Sequence, residues 1–179
     1  DNSASFALAN AINLGANLTL AGSNDLTLGG VISGAAGLVK NGASNLTLNG
    51  VNTFQGGTVL NAGGLTLGNA NALGTGALTV AGNASLDNSA SFALGNNLIL
   101  NADLSLAGNN DLSLGGVISG TGGLIKLGTG VQTLSGVNAL SGGIALNAGG
   151  LLLGLAGDAG DIAVGAGGGS DPDSADLSI

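Results

Sequence analysis

Short apolar–small–apolar triplets recur along the chain, separated by glycine, asparagine and serine. Early examples are Phe6–Leu8, Ile12–Leu14, Leu18–Leu20 and Leu26–Leu28. Alternation with a period of two predicts a strand with one buried side, and the separating residues are those that tight turns favour. No helical spacing is sustained, so we predict an all-β chain of very short strands.

The centres of these triplets repeat every nineteen or twenty residues. Two series show the spacing: Ala7, Thr27, Thr47 and Thr66, and Thr19, Val39, Val59 and Thr79. Strands set this closely leave no room for crossover helices, whereas a coil lets each strand pair with the strand one turn above. We therefore predict a single parallel β-helix (β-solenoid) over residues 1–179, with three strands and about 20 residues per turn and about nine turns.

A longer repeat is superimposed on this rhythm. The sequence DNSASFAL occurs at residues 1–8 and again at 87–94, an offset of 86. We divide the chain into internal repeats 1–86 and 87–169, with the start of a third copy at 170–179. Because 86 is not a multiple of twenty, two arrangements stay open. Each repeat carries an extra segment as a bulge, or the second repeat is rotated by about one face.

Composition excludes several classes of function. The formal net charge is −8, and Lys40 and Lys126 are the only cationic side chains. A chain with two cations cannot neutralise a phosphate backbone, so we expect no nucleic-acid partner. No apolar run approaches the ~20 residues of a membrane-spanning helix, so we expect no membrane insertion by this segment.

Candidate catalytic groups are few, because the chain has no histidine and no cysteine. A Ser–Lys dyad would have to use Ser33 with Lys40, or Ser119 with Lys126, and we interpret both lysines instead as solvated positions. Cleavage of a polysaccharide needs two carboxyl groups about 5–10 Å apart. We predict that the chain is not an enzyme and has no catalytic or cofactor-binding residues.

The sequence contains two further candidate binding sites. Asp158, Asp161, Asp171 and Asp173 lie in glycine-rich segments, but the tandem nonapeptide of calcium-binding β-rolls is missing. We therefore interpret them as solvated turn residues and predict no metal site. A column of Thr27, Thr47 and Thr66 could suggest an ice-binding surface, but its counterparts in the second repeat are Ser113, Thr133 and Leu152.

The stretch GLVKNGASNLTLNGVNTFQGGTVLNAGGL at residues 37–65 resembles the passenger-associated transport repeat of autotransporter adhesins. The matching positions are Lys40, Leu46, Thr47, Leu48, Gly50, Asn52, Thr53, Phe54, Gly57, Thr58, Asn61, Ala62, Gly63 and Leu65. The second copy, at residues 123–151, departs from the pattern at Ala139, Leu140 and Ile144. The resemblance implies a right-handed β-helical passenger that is secreted or held outside the Gram-negative outer membrane.

From the repeat and this resemblance we expect a structural or adhesive segment of a bacterial surface β-helix. The partner interactions that the sequence leaves open are end-to-end self-association and binding to a host or cell-surface glycan or protein. The alternatives are a self-assembling extracellular filament subunit and, third, an enzyme acting on polysaccharide. Residues 1–4 do not form a basic-then-apolar leader, so we expect any export signal to lie elsewhere in the gene product.

Overall fold

A computed structural model describes residues 4–154 and the two short segments 162–164 and 176–178, and these residues form strands and turns. The strands in chain order are β1 Phe6–Leu8, β2 Ile12–Leu14, β3 Leu18–Leu20, β4 Leu26–Leu28, β5 Ile32–Gly34, β6 Leu38–Lys40, β7 Asn45–Leu48, β8 Thr58–Leu60, β9 Gly63–Leu67, β10 Leu78–Val80, β11 Ala84–Asn88, β12 Phe92–Leu94, β13 Leu98–Leu100, β14 Leu104–Leu106, β15 Leu112–Leu114, β16 Ile118–Gly120, β17 Leu124–Lys126, β18 Val131–Leu134, β19 Ala139–Leu140, β20 Ile144–Leu146, β21 Gly150–Leu153, β22 Ile162–Val164 and β23 Asp176–Ser178.

The strands coil into three parallel faces. Face 1 runs β1-β4-β7-β9-β11-β14-β17-β20-β22, and face 3 runs β3-β6-β8-β10-β13-β16-β19. Face 2 begins with β2-β5 and resumes as β12-β15-β18-β21-β23. In the intervening two turns the chain is irregular on this face. Backbone hydrogen bonds still continue the ladder there, from the Thr53 amide to the Ile32 carbonyl (2.8 Å) and from the Thr75 amide to the Phe54 carbonyl (3.0 Å).

The predicted parallel β-solenoid and its turn length are confirmed. On face 1, seven successive pairings lead from Phe6 to Leu146. These positions are 140 residues apart, so a turn averages 20 residues. The turn count of nine was wrong: the described solenoid has about seven turns. The count of nine divided all 179 residues by the turn length, whereas the continuously described part of the solenoid covers residues 4–154.

Both predicted series of outward positions are real columns. Ala7, Thr27, Thr47 and Thr66 are partners in successive pairings on face 1. Thr19, Val39, Val59 and Thr79 are partners on face 3. The period-two alternation therefore assigned the outward side chains correctly, because in most three-residue strands the central residue is more exposed than the residues that flank it.

The second repeat is rotated by one face, which decides between the two arrangements that the sequence left open. Phe6 lies on face 1 and Phe92, 86 residues later, on face 2. Strands β3 and β14 are likewise equivalent, yet β3 is on face 3 and β14 on face 1. An offset of 86 is about four and one-third turns of 20, and one-third of a turn is one face. The proposed third copy lies mostly outside the described residues and stays a prediction.

The interior is a narrow column of leucine, and polar side chains complete the corners. At many corners a side-chain oxygen accepts the backbone N–H of the residue one turn above, which the strand ladder leaves unpaired. Asn17 does this for Gly37 (2.9 Å), and its equivalent Asp103 does it for Gly123 (2.8 Å). Equivalent residues therefore make equivalent corner hydrogen bonds in the two repeats, although they lie on different faces of the solenoid.

Candidate functional site: the lysine corners

The two lysines are buried inside the solenoid rather than solvated, so our interpretation of them was wrong. Lys40 ends β6 and is 2% exposed, and Lys126 ends β17 and is 0% exposed. Each occupies the third position of an apolar-x-apolar triplet, which points inward. The period-two alternation places both lysines at inward positions, so the sequence did contain a signal for their burial. The charge of lysine favours solvent exposure and led to the wrong interpretation.

Backbone carbonyl oxygens surround each ammonium group. The Nζ of Lys40 donates to the carbonyl of Gly42 in its own corner and to that of Ala62 one turn above (3.4 Å). The Nζ of Lys126 donates to the carbonyl of Gly128, the equivalent of Gly42. Each lysine therefore donates to a carbonyl oxygen of its own corner, and Lys40 also links that corner to the next turn.

Burial changes the proton affinity of both amines. It lowers the pKa of Lys40 below its ordinary value, and Asp25 partly opposes this through its negative charge. It lowers the pKa of Lys126 to about 8, again opposed by the nearest carboxylate, Asp111. An amine with such a pKa can act as a base or nucleophile only where a substrate reaches it. Here its hydrogen bonds run to backbone carbonyls, so the geometry supports a structural role.

Two parts of the transport-repeat pattern that are distant in the sequence meet at this corner. Gly63 and Gly149 have positive φ, +80° and +68°. A Cβ on Gly63 would lie 2.5 Å from the carbonyl oxygen of Gly42, and one on Gly149 would lie 2.9 Å from the Nζ of Lys126. The Lys-x-Gly and Asn-Ala-Gly parts of the pattern thus meet one turn apart and form one closed corner.

A buried asparagine performs a similar task on face 2. The Oδ1 of Asn52 accepts the Ile32 amide (2.8 Å), and its Nδ2 donates to the Ala72 carbonyl (2.6 Å), so the side chain links three turns. In the second repeat, Asn138 accepts the Ile118 amide (3.3 Å). These bonds replace the strand ladder where the chain is irregular.

Two buried polar atoms in the described region have no hydrogen-bond partner, the Oγ1 of Thr58 and the Oε1 of Gln132. Thr58 is 1% exposed, and the second repeat has Ile144 at the equivalent position. Gln132 is also 1% exposed and stacks between Leu112 and Leu151, whereas the first repeat has Leu46 there. In each case the other repeat has an apolar residue at the equivalent position. Neither polar atom has a catalytic partner beside it.

The side chains of the possible Ser33–Lys40 dyad point to opposite sides of the solenoid wall, and Asp25 and Asp111 are too far apart to act as a carboxylate pair. Ser33 is the outward centre of β5, where its hydroxyl donates to the Ile12 carbonyl (3.5 Å), while Lys40 is turned inward. Asp25 and Asp111 lie at corners about four turns apart, roughly 20 Å at ~4.8 Å per turn, and each accepts a backbone amide at 2.8 Å. The four aspartates between 158 and 173 lie outside the described residues.

The threonine columns do not combine into one flat surface. Thr27, Thr47 and Thr66 stack on face 1. Their counterparts Ser113, Thr133 and Leu152 stack on face 2. The one-face rotation therefore separates the two columns, which argues against an ice-binding array.

Within residues 4–154 and the two outlying strands, no three His, Cys, Asp or Glu side chains are grouped so that they could hold a metal ion. The same part of the chain contains no helix of the length and apolarity needed to cross a membrane.

A family model for the passenger-associated transport repeat matches the chain twice, at residues 38–67 and 124–153. This confirms the resemblance drawn from the sequence, with nearly the same boundaries. The two matches begin at β6 and β17, so each opens with a buried-lysine strand. No curated protein and no solved structure matches the chain significantly.

Proposed function

Since the chain carries two passenger-associated transport repeats on one parallel β-solenoid, we propose that it is a stiff structural and adhesive segment of an autotransporter-like passenger. In this proposal it is secreted or displayed on the outer surface of a Gram-negative cell. The continuity of face 1 through both repeats is the observation that carries the proposal. A rod in which every turn pairs with the next behaves as a spacer.

The way in which the motif residues are used supports a structural role. Lys40, Asn52 and Gly63 serve the interior and the corners, so the transport repeat determines architecture and leaves the outward columns free to vary. Seven turns at ~4.8 Å extend roughly 34 Å. Any adhesive contact then involves the outward residues, and we propose that the segment has no enzymatic activity.

Surface display can be tested with the gene product expressed with its native flanking sequence in a Gram-negative host. An antibody raised against the purified chain should label intact cells or the culture medium, and external proteinase K should remove the cell-bound signal. A periplasmic control protein should survive the protease. Signal that appears only after the cells are lysed would overturn the proposal.

A self-assembling filament subunit is the second candidate that we propose. The end strands of a parallel β-solenoid can pair with those of another copy when their edges are open. Sedimentation velocity over a hundredfold concentration range tests this, because a filament subunit should grow with concentration and a spacer segment should stay monomeric.

A further inference from the structure

The outer surfaces of the two repeats differ at several equivalent positions. At four equivalent outward positions the first repeat has a polar side chain and the second has an apolar one: Asn13 and Ile99, Asn41 and Leu127, Asn45 and Val131, Thr66 and Leu152. The four apolar residues are 38%, 45%, 42% and 41% exposed. The fold does not require them, because the first repeat forms the same strands without them.

In the first repeat these polar groups bond to one another across the turns. The Oδ1 of Asn41 accepts the Nδ2 of Asn61 (2.6 Å). The Nδ2 of Asn45 donates to the Oγ1 of Thr47 (3.2 Å) and to that of Thr66 (3.0 Å). The second repeat gives up these bonds and exposes branched apolar side chains to solvent instead. Single exposed apolar residues are ordinary, but a cluster marks a contact surface.

Val131 and Leu152 are outward residues on the neighbouring strands β18 and β21, two register positions apart. With Leu127, which follows β17 at the preceding corner, they make up the set that we call the apolar corner. Leu127 and Val131 stand at the two ends of the corner that joins face 1 to face 2. Val131 starts β18, and Leu152 lies in the neighbouring strand β21 beside Thr133. Val131 lines an open groove of about 310 Å³ together with Phe92 and Leu112. Thr133, the pairing partner of Leu152, lines the same groove.

The charge beside this groove is negative. Asp111 lines the groove and is exposed. Its Oδ1 accepts the Val131 amide, and a carboxylate can accept further hydrogen bonds. Both lysines are buried, so the exposed charges of the described region are carboxylates. A partner that complements this surface is therefore cationic as well as apolar.

We propose that the apolar corner binds a peptide segment of a partner protein that carries apolar side chains next to basic ones. Apolar side chains of the segment contact Leu127, Val131 and Leu152, and a basic side chain pairs with Asp111. A second copy of this chain fits less well. Three side chains that are each less than half exposed are far from the ~800 Å² per partner of a stable interface, and two acidic surfaces repel each other.

A fluorescein-labelled heptapeptide that alternates lysine and leucine is a suitable probe for anisotropy titration against the full chain. We expect binding that weakens with salt, and weakens again when serine replaces leucine or glutamate replaces lysine. The double substitution Val131→Asn with Leu152→Thr installs the first repeat's residues and should weaken binding about tenfold or more. Asp111→Asn, which retains the acceptor for the Val131 amide, should reduce the salt dependence.

The matched control is Ile99→Asn, the same kind of exchange on face 3, outside the apolar corner. It should leave the affinity unchanged, and circular dichroism should show intact β structure in every variant. Equal binding of the glutamate peptide, or equal weakening by Ile99→Asn, would overturn the proposal. So would a dimer of the wild-type chain, seen by sedimentation, that Val131→Asn with Leu152→Thr dissolves. None of these results depends on where the protein is exported.

Discussion

The first repeat, residues 1–86, and the second, residues 87–169, place equivalent side chains on different sides of the same rod. At the corners they agree: Lys40 and Lys126 donate to equivalent carbonyls. Asn17 and Asp103 accept equivalent backbone amides. Outward, they diverge, since polar ladders in the first repeat become exposed apolar residues in the second. The corner hydrogen bonds change little because every turn must stack on the next, whereas the surface is free to acquire a binding role.

The largest expected effect comes from adding a methyl group to the lysine corner. Gly149→Ala places a Cβ 2.5 Å from the Gly128 carbonyl oxygen at a φ of +68°. We expect a loss of about 3 kcal/mol in the free energy of unfolding from backbone strain and overpacking together. Gly63→Ala should cost a similar amount, since its Cβ meets the carbonyls of Ser44 and Gly42. Denaturant unfolding measures the free energy of unfolding of both variants. If only one variant is destabilised, the two lysine corners are not equivalent.

The next effect is a rise in stability with alkaline pH. The pKa of Lys126 is about 8 in the folded chain and 10.5 for an unperturbed lysine, so the unfolded state binds more protons between these values. Stability should therefore rise from pH 8 to 10.5, by at most ~1.4 kcal/mol per pH unit for one lysine. The chain has no Tyr, Cys or His to titrate in this range. Lys126→Met should reduce the slope of the urea midpoint against pH to the part contributed by Lys40, whose pKa burial also lowers. An unchanged slope would show that the folded protein does not lower the pKa of Lys126.

A smaller, stabilising effect is expected from Gln132→Leu. The substitution removes the buried Oε1 that lacks a partner and installs the residue that the first repeat carries at position 46. We expect a gain of about 1 kcal/mol. The reciprocal exchange Leu46→Gln should destabilise, because the first repeat would then bury the unpaired amide. The melting temperatures of both variants compare the two interiors at this one site. If Gln132→Leu is destabilised, the amide of Gln132 has a hydrogen-bond partner.

The smallest effect is expected from Thr58→Val, which replaces a buried, unpaired hydroxyl with a methyl group of similar volume. The second repeat already has an apolar residue, Ile144, at this position. We expect a gain of about 0.5–1 kcal/mol. Thr66→Val is the control, because its hydroxyl donates to the Oδ1 of Asn45 (3.3 Å) on the outside and the change should give no gain. If Thr58→Val lowers the melting temperature, the hydroxyl is satisfied in solution.

The amino-acid sequence by itself determined the short strands, the turn of about 20 residues, both outward columns and the two transport repeats. These follow from local alternation and from motifs that need no knowledge of distant contacts. The sequence did not determine on which face equivalent strands of the two repeats lie. That position depends on the summed lengths of all strands and corners between them. Nor did the sequence show that Lys40 and Lys126 are buried, since carbonyl groups from separate turns must converge before an inward ammonium is stable. Only the tertiary structure brings Lys40 to Ala62, and only the rotation moves the threonine column from face 1 to face 2.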